Sequence, residues 1–200
     1  MLFTIGHSVY KFDFFLSLLQ MHKINYLIDV RSSPFSRFAQ DFNKGVLANS
    51  LKNTNIKYVL MGDYFGARPQ DKTLYSEEGY LDFEKVQDTE NFKKGLNNII
   101  KGLKQNNNIC LMCTEKDPID CHRAIMVARA FSLKGIDVSH ILQNGEIQTQ
   151  KELDERLLDL YFPDRNQLSL FAEDNLSREQ MLVEAYRKRN KKIGYEMERE

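Results

Sequence analysis

The chain predicts an α/β fold, a single open and mostly parallel sheet with helices on both faces, followed by a C-terminal helical tail. Three observations carry that expectation. Short β-rich runs alternate with stretches of helical period from the N-terminus to about residue 145. A length of 200 residues and a mass of 23.4 kDa suit one α/β domain with an appendage better than two very small domains. Hydrophobic residues at 42%, aromatics at 11% and charged residues at 28% belong to a soluble globular chain, which excludes wholesale disorder and a collagen-like or disulfide-built scaffold.

The strands are expected at 2–5, 26–30, 56–60, 109–112 and 137–142. Between the first two, Asp13 stands as an N-cap before Phe14, Phe15, Leu18 and Leu19 at helical spacing, so this unit reads as strand, helix, parallel strand. Phe92, Leu96, Ile99 and Leu103 place one apolar face on a second helix and turn Lys93, Lys94, Lys101 and Lys104 to solvent. A third helix is expected to begin at Asp117 and Pro118, to bury Val127, Ala128 and Phe131, and to end at Gly135. Residues 62–79 show neither period and read as a functional loop or lid.

A helix over 151–161 carries Leu153, Leu157 and Leu160 until Pro163 breaks it. The α/β domain is therefore placed at 1–162 and the tail at 163–200. Within the tail, Ser177 and Gln180 spell a capping box ahead of Met181, Ala185 and Tyr186. Arg187, Lys188, Arg189, Lys191 and Lys192 form a basic run that reads first as a solvated helix face and second as a phosphate track.

Composition also bounds partners. Lys plus Arg and Asp plus Glu are 28 each, so a nucleic-acid contact has to come from local patches. No apolar run approaches the roughly 20 residues of a membrane span, and the apolar stretch at 2–5 is too short for a signal-peptide core, so no membrane partner and a cytoplasmic location are expected. Cys110, Cys113 and Cys121 are an odd number of thiols within twelve positions, which suits reduced thiols or a site rather than a disulfide framework.

In an open parallel sheet the ligand crevice lies beyond the carboxyl ends of the strands. Three of those ends are polar here: Gly6, His7 and Ser8; Asp29, Arg31, Ser32, Ser33 and Arg37; and Cys113, Thr114 and Glu115. Cys121, His122 and Arg123 follow at the start of the third helix, adding its dipole and free N–H groups to the same rim. A thiol beside a helix N-terminus and arginines has the surroundings of a nucleophilic thiolate, which makes Cys113 a candidate; the competing reading is a small buried hydrophobe, which also describes Cys110. Cys110 and Cys113 spell C-x-x-C, but on a strand they point to opposite faces. His7 and His122 are acid/base candidates, Asp29 and Glu115 position them, and Arg31, Arg37, Arg123 and Ser33 are candidates for holding phosphate. Asp29 and Arg31 equally read as a structural ion pair. His22 and His140 are assigned structural places.

Cys113, Cys121, His122 and His7 contain the donors zinc prefers. The C-x7-C-H spacing matches none of the usual zinc patterns, and neighbouring ligands on a helix diverge by about 100°. The sequence therefore requires no cofactor, with zinc or another divalent metal as the alternative.

The segments Thr4-Ile5-Gly6-His7-Ser8, Asp29-Val30-Arg31 with Pro34 and Ser36-Arg37, Leu111-Met112-Cys113-Thr114-Glu115, Asp117-Pro118, Cys121-His122-Arg123 and His140-Ile141 together resemble the domain of unknown function family 488 over about 3–142. The resemblance implies a compact α/β domain with these residues at one site and lends no established reaction. Relatives often carry Leu-Gly-Gly before a basic residue where this chain has Phe65-Gly66-Ala67-Arg68. A looser similarity to rhodanese-like domains rests on the Asp-Val-Arg strand end and the strand-end Cys, although Asp117-Pro118 and a second Cys intervene here before Arg123.

In the tail, Gln167-Leu168-Ser169-Leu170-Phe171 resembles the bacterial sliding-clamp-binding motif, with Gln167, Leu168, Leu170 and Phe171 as the recognition side chains. The competing reading folds this apolar cluster back on the core. Together these features lead to the expectation of an enzyme that processes DNA or a nucleotide in repair or modification, recruited by the sliding clamp. Two alternatives stand beside it: a rhodanese-like small-molecule enzyme of thiol or phosphate chemistry, and a non-catalytic adaptor between the clamp and a nucleic acid.

Overall fold

The computed structural model describes residues 1–165 and 176–197. Its order is β1 (Leu2–Gly6), α1 (Phe12–Met21), β2 (Tyr26–Asp29), α2 (Lys44–Leu51), β3 (Lys57–Leu60), α3 (Gly62–Phe65), α4 (Phe83–Asp88), α5 (Glu90–Lys104) and β4 (Ile109–Cys113). A π-helical stretch, Arg123–Ala128, then runs into α6 (Arg129–Ser132), and β5 (Val138–Ile141), β6 (Ile147–Thr149), α7 (Gln150–Tyr161) and α8 (Arg178–Ile193) follow. The six strands lie in the order β3-β2-β4-β1-β5-β6, parallel except for β6, which pairs antiparallel with β5. This is the expected α/β sheet; β6 is a short edge hairpin strand of three residues that periodicity does not reveal.

Strand alternation divides the core into two layers. On β4, Ile109, Leu111 and Cys113 face one layer with α5, the π-helical stretch, α7 and α8. Cys110 and Met112 face the other, with Phe15, Leu18 and Leu19 of α1 and Leu47 and Leu51 of α2. Right-handed crossovers require helices to change faces when the chain reverses direction across the sheet. The chain steps from β1 through β2 to β3 in one direction with α1 and α2 on one face, then returns to β4 and β5 with α5 and α6 on the other.

Three local expectations are corrected. Lys11, not Asp13, occupies the N-cap of α1, and Asp13 sits in its first turn, where a carboxylate still favours the helix dipole. The third helix does not start at Pro118: Asp117 caps only a 3₁₀ turn, Pro118–Asp120, and the chain returns to extended geometry at Cys121 before the π-helical stretch begins. The 62–79 segment is no open lid, because Phe65 and Tyr75 are buried in the core and α3 packs against α5. Its Gly62 lies where a Cβ would stand 2.2 Å from the Arg31 carbonyl, so the segment closes on the second strand end.

Beyond residue 162, α8 packs on the same core. Leu182, Ala185 and Tyr186 of α8 share the layer built by α5 and α7. Asn190 accepts from the Phe83 N–H and donates to the Leu81 carbonyl, both at 2.8 Å, and so clips α8 to the domain. The Gln167–Phe171 motif lies outside the described residues, in the connection between α7 and α8.

Candidate functional site

β4 lies between β2 and β1, so the carboxyl ends of these three strands are neighbours and their polar exits gather at one edge. Ladder bonds continue past the strands: His7 N–H donates to Cys113 O, Ser8 N–H to Thr114 O, and Val30 N–H to Met112 O. The chain after β4 passes directly over β1. A Cβ on Gly6 would stand 1.8 Å from the Glu115 carbonyl oxygen, so only glycine allows this approach.

The second strand end forms a closed network. Asp29 accepts from the Arg31 backbone N–H, Nε and Nη2 at 3.1, 2.8 and 2.6 Å, and from the Tyr58 hydroxyl at 2.7 Å. Arg31 also donates to the Phe42 carbonyl at 2.7 Å and to His7 Nε2 at 3.0 Å. Accepting at Nε2, His7 carries its proton on Nδ1 and donates it to Ser8 O at 2.8 Å, while its ring stacks on Phe42 with centroids 4.3 Å apart. Burial, with the Arg31 charge second, lowers the His7 pKa to about 4. His7 is fully buried, bonded at both nitrogens and absent from the crevice lining, so the geometry makes it a positioning group for Arg31 rather than an acid or base facing substrate.

Arg123 is fully buried as well. Its guanidinium donates to the Glu115 and Lys116 carbonyls at 2.6 and 3.3 Å and to the Thr4 hydroxyl at 3.4 Å. It therefore folds the loop after β4 rather than reaching a phosphate. Arg37 is exposed and lies outside the crevice lining, whereas Ser33 lines it.

The remaining groups converge. Sγ of Cys113, a carboxylate oxygen of Glu115, Sγ of Cys121 and a ring nitrogen of His122 all lie within 4.8 Å of one another. Glu115 Oε2 is 2.8 Å from the Cys121 thiol and 3.2 Å from the Cys113 thiol, and His122 Nδ1 is 3.7 Å from Cys113 Sγ. His122 Nε2 lies 3.2 Å from the Val30 carbonyl, which accepts its proton and leaves Nδ1 to face the sulfur atoms. The 100° divergence of helical neighbours does not apply, because Cys121 is extended and His122 only begins the next helix.

Burial pushes the Cys113 thiol well above the ordinary value, and the neighbouring Cys121 adds to it. Burial also raises Cys121, but the Cys113 hydrogen bond and the positive field of Arg123 and His122 outweigh it, leaving Cys121 well below an ordinary thiol. Glu115 is raised by burial and by Cys121. The two neighbouring thiols are therefore shifted in opposite directions, Cys113 up and Cys121 down.

Cys113, Glu115 and His122 of this cluster, but not Cys121, line a crevice of about 380 Å³. Further lining comes from Ser32, Ser33, Phe35 and Ser36 after β2, from Ala67 and Arg68 after α3, and from Ile193 and Tyr195 at the end of α8. The Arg68 guanidinium lies over the Tyr195 ring at 4.7 Å, and its backbone N–H donates to the Ser32 hydroxyl at 3.0 Å. Arg68 and Tyr195 are crevice-lining side chains that sequence reasoning passed over. A basic residue after a glycine-containing loop is a weak signal for the first, and nothing local marks the second.

Four of the five basic residues of the α8 run are engaged elsewhere. Arg187 pairs with Glu84, Lys191 with Glu78, Arg189 with Asp120 and the Ile119 carbonyl, and Lys188 lies over the Phe162 ring. His140 is equally structural: it accepts from Thr4 at 2.8 Å and donates to Gln150 at 3.0 Å. Gln150 donates to Tyr186 at 2.7 Å, so this buried chain of bonds ties β5 to α8.

No helix among the described residues is long and apolar enough to cross a membrane. A search of curated proteins and of solved structures finds no match. The model of the family described as Domain of unknown function DUF488 matches residues 11–130, more than half of the chain and most of the crevice-forming segments, and the chain belongs to that family.

Proposed function

We infer that the protein is an enzyme acting on DNA or a nucleotide at this crevice, brought to its substrate by the sliding clamp through Gln167, Leu168, Leu170 and Phe171. The observation that carries the reading is that two chemically distinct sets of side chains line one crevice. Cys113, Glu115 and His122 are groups that act as nucleophile, acid or base. Arg68, Ser32 and Ser33 suit a phosphate, and Phe35, 68% exposed, has a face that suits a base.

A volume of about 380 Å³ is at the small end of ligand pockets and suits a single nucleotide unit better than a duplex, so a base in DNA would enter unstacked. Arg31 and His7 hold the floor, Arg123 holds the loop that carries Glu115, and neither arginine needs to leave its partners for substrate to bind.

The test has two arms. Calorimetry with a purified bacterial sliding clamp should show micromolar binding that is lost in the Gln167→Ala, Phe171→Ala double variant. DNA oligonucleotides bearing modified bases should be converted by the native chain and not by Glu115→Gln or His122→Gln. Absence of clamp binding by the native chain overturns the recruitment. Turnover of small thiol or phosphate compounds with no effect of DNA overturns the choice of substrate.

A further inference from the structure

We propose that Cys113, Cys121 and His122 bind a zinc ion, with Glu115 completing the coordination from the crevice side. Zinc takes four donors of this kind in tetrahedral array at about 2.0–2.3 Å, so its ligand atoms lie roughly 3.3–3.8 Å apart. The separations here, 2.8, 3.2 and 3.7 Å, with every pair inside 4.8 Å, bracket that range. A shift of a few tenths of an ångström closes the polyhedron around one ion.

Three independent features of the surroundings agree. His122 directs Nε2 at the Val30 carbonyl, the outer-sphere bond that fixes a metal-binding imidazole and turns Nδ1 inward. The Arg123 backbone N–H points at Cys121 Sγ at 3.5 Å, as amides do toward coordinated thiolates. Cys113 and Cys121 are 3% and 1% exposed, so two buried sulfurs sit against the carboxylate and the imidazole within 4.8 Å. A divalent cation neutralises such a donor set; softness of the two thiolates and the imidazole selects zinc over magnesium or calcium. Cys110, on the opposite face of β4, takes no part.

The donors also differ in access. The two cysteines are buried and His122 is half-buried, whereas Glu115 is exposed at the crevice. With all four donors bound the site is closed, as structural zinc sites are; release of the exposed Glu115 would leave three protein ligands and one position open to the crevice, where the ion would act as a Lewis acid toward a water or a substrate oxygen. The assignment rests on donor geometry alone and stands whether the substrate is DNA or a small molecule.

The test uses the full chain, purified reduced, without DNA or clamp. Elemental analysis should find one zinc per chain, and cobalt substitution should give the intense visible bands of a tetrahedral site with thiolate-to-metal charge transfer. X-ray absorption should count two sulfur and two nitrogen or oxygen neighbours. Cys121→Ser and His122→Gln should each weaken zinc at least tenfold, Glu115→Gln should weaken it while keeping both sulfurs, and Cys110→Ser should leave it unchanged. Circular dichroism of Glu115→Gln, an exposed position, separates loss of metal from loss of fold. A native chain that takes up no cobalt or zinc, or a metal that shows no sulfur neighbours, overturns the proposal and leaves clamp binding and substrate turnover to be judged separately.

Discussion

Two polar groups meet at the same edge of the sheet, and they are built on opposite principles. In the network of Asp29, Arg31 and His7 both carboxylate oxygens, all three guanidinium nitrogens and both ring nitrogens have partners, and the ion pair is 5% and 0% exposed. In the cluster of Cys113, Glu115, Cys121 and His122 the groups bond chiefly to one another, four potential metal donors lie within 4.8 Å, and one edge opens on the crevice. The first arrangement holds the backbone still and the second gathers reactive groups where a ligand can reach them. Both begin from a strand end with a charged or nucleophilic side chain, so residue type alone does not separate scaffold from site.

The largest expected effect comes from opening the closed side. Asp29→Ala strands the Arg31 guanidinium without its carboxylate and should cost about 3–5 kcal/mol of stability by urea denaturation. A loss below about 1 kcal/mol would mean that this network is not the scaffold. Acid is the second probe of it. His7 and His140 stay neutral in the fold, with pKa values lowered to about 4 and about 3, chiefly by burial. Below the ordinary histidine value of about 6.5 the unfolded chain binds protons that the folded chain refuses, so stability is full above that pH and falls as the pH drops toward 4 and then 3. Each ring sets a limiting slope of about 1.4 kcal/mol per pH unit. A stability profile flat from pH 6.5 to 4.5 would show that the rings are protonated in the native state.

Gly6→Ala joins the two regions. Its methyl must displace the Glu115 carbonyl, and overpacking of this kind costs about 1–3 kcal/mol. Because the same movement drags Glu115 out of the cluster, zinc affinity should fall with stability; unchanged affinity would detach the loop from the site. The smallest effect on stability belongs to the open side. Glu115→Gln alters an exposed residue and should change the metal-free chain by no more than about 0.5 kcal/mol, while zinc affinity and turnover drop together. If instead this variant unfolds the chain, the cluster is scaffold and the comparison collapses.

The strand and helix order was legible because alternation and helical period are local. Cys110 and Cys113 were separable for the same reason, since side chains three apart on a strand face opposite layers. The crevice was legible too, because polar strand exits in a parallel sheet share one edge. The start of the helix after Pro118 was misread because a cap-and-proline signal marks a turn as well as a helix, and nothing local shows that the chain will extend again at Cys121. That single extended residue is what lets Cys121 and His122 serve one centre.

What the amino-acid order determined by itself is the α/β architecture, the family and the set of residues able to do chemistry. Tertiary structure alone decided which of them are free to do it. His7 and Arg123 match the pattern of a site but are enclosed by Phe42 and by the carbonyls of the loop after β4. Arg68 and Tyr195, 127 positions apart in the chain, become neighbours at the crevice because α8 packs beside α7. Burial and partnership are properties of contacts between distant segments, and a one-dimensional pattern carries the first member of each contact without its second.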